Sequence, residues 1–291
     1  MRLTSAVALA IGLLLPAGCS AQQPKPAPTE PDPARLERYL RRYFGWPDSV
    51  RATVRPFRPS KIQGMLETTV ELSRDGEKQE AVFLVSSDGQ YLVQGPPLAL
   101  NEDPFAATRS KIDLKEAPAR GSPLAPVTIV EYSDWQCGFC RALAPVLTKQ
   151  ILLHFANDVR LYYKDFPLSE MHAWAMPAAQ LGRCIYKRYG DAFWDYHDWV
   201  FASQPELRPD NFKDKALAFA RSKGMDAVPL GSCMSLAESR TEVERQIAEG
   251  QSLGVTGTPT MFINGRRVVG AQSFPQLRQI IQAELDHARG K

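Results

Sequence analysis

The feature that most constrains this chain is the run Val127-Thr-Ile-Val-Glu-Tyr-Ser-Asp-Trp-Gln-Cys137-Gly-Phe-Cys140. Its opening, Val127 to Val130, is short, apolar and mostly β-branched, which suits a buried parallel strand. A short turn follows, then a C-x-x-C that opens a helix. Unpaired backbone N–H groups and the helix dipole both favour negative charge at such a position. The first thiol is thereby stabilised as thiolate, so Cys137 is expected to be the attacking sulfur and Cys140, one turn further in, the resolving one. Two other readings compete. A structural zinc needs four ligands, usually from a second close pair, and the chain holds no second C-x-x-C or C-x-x-H. A purely structural disulfide rarely closes so small a loop beside a buried strand. Redox chemistry is the stronger reading, and it calls for no metal and no cofactor.

At 291 residues the chain has room for about two domains, and its apolar content of 44% is enough for a real core. Lys plus Arg number 35 and Asp plus Glu 32, dispersed to a net charge of +3, so nucleic acid is not a partner. Arg2 and the apolar run Ala6 to Leu15 make residues 1–18 a secretory signal peptide; the run is shorter than the ~20 residues that span a bilayer. Ala17-Gly18-Cys19 is similar to the end of a bacterial lipoprotein signal, which makes Cys19 a lipidation site, although Pro16 stands where leucine is usual. An ordinary cleaved signal is the alternative. Either way four of the five cysteines remain, an even number that can pair in an oxidising compartment. The count argues for export and not for the anchor.

Residues 19–33 read as an extended tether, with five prolines between Ala21 and Pro33. Residues 34–105 read as a small α+β domain. Leu36, Tyr39, Leu40 and Tyr43 predict an amphipathic helix over 34–44, and strands are expected near 50–57, 64–73, 79–86 and 90–94. Arg74-Asp-Gly76 and Ser87-Asp-Gly89 are the turns. This region has neither cysteine nor histidine, so catalysis is not expected there. Residues 106–123 read as a linker broken by Pro118, Gly121 and Pro123, and 124–291 as the second domain. There Pro145 should kink the helix that follows Cys137, and a strand is expected over 158–164. Residues 171–251 read as a block of four helices carrying Cys184 and Cys233, which either form a disulfide between two of them or stay as buried thiols. Asn264-Gly265 joins two apolar runs as a hairpin, and Ser273-Phe-Pro-Gln276 opens the last helix as a capping box. His154, His172, His197 and His287 are expected to be surface or packing residues.

Four segments carry a resemblance: Glu131 to Cys140, Lys164-Asp-Phe-Pro-Leu168, Phe193-Trp-Asp-Tyr-His-Asp-Trp199 and Gly254-Val-Thr-Gly-Thr-Pro-Thr260. Together, over about 120–288, they resemble the DsbA-like branch of the thioredoxin superfamily. The resemblance implies an α/β thioredoxin fold with a helical insertion, preceded here by the small α+β N-terminal domain. It implies Cys137 as nucleophile and Cys140 as its partner. It makes Pro259 the cis-proline facing them, with the backbone of Thr258 presented to an extended substrate and Gly138 and Phe139 beside it. Glu131 stands where the family has a buried acid, which would accept the proton of Cys140, and Lys164 is its candidate partner; a strand-end surface pair is the alternative for both. Gly138-Phe139 has neither the histidine of strongly oxidising motifs nor the proline of reducing ones, so the direction of exchange stays open. Asp88 to Pro96 resembles the end of the dimerisation domain of DsbC-type isomerases.

The function expected is an exported, periplasmic or envelope thiol–disulfide oxidoreductase. It would form, reduce or isomerise disulfides in exported proteins, with a membrane redox partner and a lipid anchor in the membrane. A homodimer paired along 90–94 and a monomer held by the tether are both open. The alternative is a lipid-anchored chaperone or assembly factor that binds in the same groove without turnover.

Overall fold

The computed structural model describes residues 31–47, 49–74, 76–95, 97 and 103–289. The signal peptide, Cys19 and the tether up to residue 30 lie outside them. The chain divides into two units, Met1–Ala99 and Leu100–Lys291.

In the first unit, α1 (Pro33–Phe44) starts where the Asp32 carboxylate accepts the N–H groups of Ala34 and Arg35, at 2.9 and 3.2 Å, and it ends at Gly45 with φ 66°. Its buried face is Leu36 and Leu40, one turn apart. Tyr39 and Tyr43, expected on the same face, stay 57% and 71% exposed and stack on each other at 6.1 Å. They occupy the adjacent i+3 row, beyond the width of the apolar stripe the small sheet covers. That sheet is antiparallel: β1 (Arg51–Val54), β3 (Met65–Arg74), β4 (Glu77–Ser86) and β5 (Leu92–Gln94) lie side by side, and β2 (Arg58–Pro59) pairs with β3. The strand expected over 50–57 stops at Val54, ahead of Pro56, which cannot donate to a ladder, and a short β2 follows beyond the expected range. Leu36, Leu40, Val70, Phe83 and Val85 form the core.

The second unit begins inside the expected linker. Here α2 (Ala106–Arg109) is followed by β6 (Ala119–Gly121), which pairs antiparallel with β8 (Val159–Asp165). The stretch 106–123 is therefore in part a sheet edge, where Pro118 can precede the ladder without costing a hydrogen bond. Gly121, at φ 100°, is required there: a Cβ would lie 2.4 Å from the Val159 carbonyl. The sheet runs β10-β9-β7-β8-β6, with β7 (Val127–Ser133) parallel to β8 and antiparallel to β9 (Thr260–Ile263). This is the α/β thioredoxin arrangement. Asn264 and Gly265, at φ 46° and 88°, turn β9 into β10 (Arg266–Val269). The last helix, α10 (Phe274–Ala288), opens on the Ser273–Gln276 capping box, the Ser273 N–H donating to Gln276 Oε1 at 2.9 Å.

After β7, α3 (Gly138–Pro145) runs into a π-helical stretch (Val146–Ile151) and a last turn, α4 (Leu152–His154). Pro145 supplies no N–H, so the ladder slips there rather than bending sharply, and Thr148 Oγ1 donates to the Ala144 carbonyl at 2.8 Å. The insertion between β8 and β9 holds five helices, not four: α5 (Ala175–Tyr189), α6 (Ala192–Ser203), α7 (Phe212–Ser222), α8 (Ala227–Cys233) and α9 (Ala237–Ser252). The added one, α8, is too short to show a period and is capped by Asp226. Leu236, expected on the last helix of this block, is an exposed residue at its cap. A disulfide joins Cys184 of α5 to Cys233 of α8.

Candidate active site

β7 is buried along nearly its whole length, so it delivers the turn Asp134–Gln136 and then Cys137 to the top of the sheet. Cys137 is the N-cap of α3 and Cys140 lies inside its first turn; both are buried, and both are free thiols. The Thr258–Pro259 bond is cis, and the Thr258 carbonyl accepts from Cys137 Sγ at 3.5 Å. Chain segments 121 residues apart thus meet at one sulfur. The Cys140 thiol hydrogen bond lowers the pKa of Cys137 to about 5; burial opposes this, while the N–H groups of Cys140 and Phe139 act with it. Burial pushes Cys140 the other way, and the negative charges of Glu131 and Cys137 push it further. The two thiols are thereby split into an acidic outer group and an inert inner one.

Glu131 lies beneath the pair, fully buried, and burial raises its carboxyl to about 7. The charge of Cys137 adds to that, and the Ser133 hydroxyl works against it. Glu131 Oε1 has no protein hydrogen-bond partner. Lys164 is not its partner, which corrects the expectation. In the β7–β8 register Glu131 faces Tyr163, while Lys164 faces Tyr132. Side chains alternate across a strand, so Lys164 and Glu131 leave opposite faces of the sheet. The Lys164 ammonium pairs instead with Glu249 of α9 at 3.0 Å, and the Tyr132 hydroxyl donates to the same carboxylate.

Several residues at the site are not visible in the sequence pattern. Asp134 is fully buried: Oδ1 accepts the Gln136 N–H at 2.7 Å, Oδ2 accepts the Leu168 N–H at 2.7 Å, and His172 Nδ1 lies 2.8 Å from Oδ2. Its own N–H reaches Cys140 Sγ at 3.5 Å. His172 is therefore part of the site and not a packing residue. Gln204, in the 3₁₀ turn after α6, donates to the carbonyls of Trp135 and Cys137 at 2.9 and 3.1 Å. Trp135 donates through Nε1 to the buried carboxylate of Asp165 at 2.8 Å and packs against Tyr163, Phe193, Tyr196 and Phe201. Asp134 and Asp165 stand at the ends of β7 and β8, a weak signal; Gln204 had none. At the solvent side, a Cβ on Gly138 would meet nothing within 4 Å, and Phe139 is 70% exposed. Among the described residues no group of three or more His, Cys, Asp or Glu is placed to hold a metal.

A five-stranded mixed sheet with a C-x-x-C at a helix start and a cis-proline against it defines a thioredoxin-type protein. The family model described as Thioredoxin matches residues 113–283, more than half of the chain, and the chain belongs to that family. The sequence is 31% identical over 180 residues to the Na(+)/H(+) antiporter NhaA 1 of Salinispora arenicola, covering 61% of this chain and 26% of that protein. It thus spans about a quarter of the length of such antiporter relatives. It is 22% identical over 184 residues to Disulfide bond formation protein D of Bacillus subtilis, covering 62% of this chain and 82% of that one. The fold matches oxidised BdbD of Bacillus subtilis with a TM-score of 0.55 at 22% identity, over 60% of this chain and 95% of that one. It matches alpha-DsbA2 of Wolbachia pipientis with a TM-score of 0.54 at 19% identity, over 62% and 92%.

Proposed function

We propose that this protein is an exported thiol–disulfide oxidoreductase acting on protein thiols and disulfides through Cys137 and Cys140. The observation that carries the reading is the split between the two thiols: Cys137 acidified to about 5 at the start of α3 and Cys140 buried and held as thiol. When the reduced pair acts, the Cys137 thiolate attacks a substrate disulfide, forming a mixed disulfide and releasing one substrate thiolate. Glu131 as carboxylate accepts the proton of Cys140, whose sulfur attacks Cys137 and releases the second substrate thiolate. Two electrons have then passed to the substrate, and the enzyme holds the Cys137–Cys140 disulfide. Run backwards, the same steps oxidise a substrate dithiol. An acidified Cys137 stabilises the reduced enzyme, which favours this oxidising direction, with a membrane redox partner restoring the disulfide. The Thr258 backbone beside Cys137 and the exposed Phe139 and open Gly138 form the substrate side.

Residues 1–18 support export, and Cys19 a lipid anchor to the membrane. β5 ends the strand order of the first unit, with Val93 exposed, which supports pairing with a second copy along that edge. Turnover decides between this reading and a binding module. Cys137→Ala should reduce thiol oxidation and insulin reduction to the uncatalysed rate, whereas a module that only binds would keep its function. Iodoacetamide at about pH 6, below the free-thiol pKa, should label Cys137 before Cys140 in the reduced protein; the reverse order would overturn the assignment of roles.

A further inference from the structure

The dipeptide Gly138-Phe139 brings no imidazole to the thiols, yet one stands at the site from another part of the chain. His172, in the loop between β8 and α5, meets the Asp134 carboxylate at 2.8 Å. Asp134 holds the turn ahead of Cys137 through the Gln136 N–H, and through its own N–H it supplies a donor to Cys140. One buried residue therefore governs both the approach to the outer thiol and the hydrogen bonding of the inner one. A buried carboxylate is costly unless its oxygens are filled by donors. Two of the three donors here are backbone N–H groups; the third, and the one side chain among the described residues, is His172.

We propose that His172 is a positioning residue for the Cys137–Cys140 pair: through Asp134 it locks the turn that presents the thiols and sets the backbone donors around them. The inference builds on the oxidoreductase reading. The acidic groups around the pair are Glu131, below it, whose charge raises Cys140, and Asp134, ahead of it, whose N–H reaches Cys140 Sγ at 3.5 Å. Without His172 the Asp134 carboxylate loses the one side chain among the described residues that meets it. The thiolate of Cys137 is then less favoured and the turn less well held.

The test is the pH profile of Cys137 alkylation by iodoacetamide in the full reduced chain, read by mass mapping. It reports on the thiol itself and needs no substrate. His172→Ala should raise the midpoint by about one unit, which is about tenfold in rate at a pH below both midpoints. His172→Asn keeps an N–H donor near the place of Nδ1, so its midpoint should lie closer to that of the unsubstituted chain than to that of the alanine variant. In an Asp134→Asn background His172→Ala should have no further effect, because the coupling runs through that carboxylate. An unmoved midpoint in His172→Ala, an asparagine variant displaced as far as alanine, or the same shift in the Asp134→Asn background would each overturn the proposal. If His172→Ala does not fold, His172→Leu fills the volume without a donor and should show the same rise. A thiol that responds to His172 in a chain without turnover would defeat the oxidoreductase reading alone; turnover with an unresponsive thiol would defeat this inference alone.

Discussion

The two cysteine pairs of this molecule carry the same functional group in opposite surroundings. Cys137 and Cys140 sit within one helical turn as free thiols, at a helix start facing backbone donors and the Thr258 carbonyl. Cys184 of α5 and Cys233 of α8 are 49 residues apart and bridged, Cys184 buried and Cys233 half-buried. The first pair is close whether or not the rest of the chain folds, so its bond costs little chain entropy to open or close. The second closes a long loop, and opening it releases that loop. Proximity in sequence and an acidifying environment suit exchange; separation in sequence suits permanence.

That contrast can be broken in three places. Replacing both Cys184 and Cys233 by alanine should lower the unfolding free energy by about 4 kcal/mol, given the 49-residue separation, while the alkylation profile of Cys137 stays in place. Urea unfolding followed by mass mapping reads both, and a displaced Cys137 profile would show that the pairs are not independent. Glu131→Gln tests the acid below the outer pair. Its carboxyl is raised from 4.5 to about 7, so the folded state holds a proton that the unfolded state has released. The Glu131 contribution to stability is full below about pH 4.5, falls as pH rises toward 7, and is lower above that by about 3 kcal/mol. The glutamine variant should lose the Glu131 contribution and keep the comparable one of Asp165, also raised by burial, to about 6. Unfolding free energies measured between pH 4 and 8 with an undiminished slope in Glu131→Gln would show that Glu131 ionises freely in the fold. The smallest effect belongs to the residue between the thiols. Phe139→Ala removes an exposed ring, so stability should change by less than about 0.5 kcal/mol. A change in turnover on protein substrates without a change in unfolding would assign Phe139 to substrate contact and leave the outer pair as the exchange site.

Much of the fold was legible because its signals are local. The β-branched run before Cys137, Asn264-Gly265 between two apolar runs and the Ser273–Gln276 box are each marked by neighbouring residues alone. The readings that needed correction depend on partners far away. β6 is a strand only because β8 offers it an edge, and three residues bounded by Pro118 and Gly121 look like a linker until that edge exists. The short α8 carries no periodicity of its own, and Tyr39 and Tyr43 were set on the buried face of α1 by spacing that could not reveal how narrow the covering sheet is.

The amino-acid order by itself determined the C-x-x-C, its place between a strand and a helix, and the family motifs around it, because these rest on contacts within a few residues. Only the tertiary structure decided which acids and cations face the thiols. Glu131 and Lys164 both lie on the central strands, but register and the two-residue alternation send them to opposite faces, one to the cysteines and one to Glu249. Asp134 and His172 lie far apart in sequence and meet because the loop after β8 folds back over the turn before Cys137, a closure that no local pattern encodes.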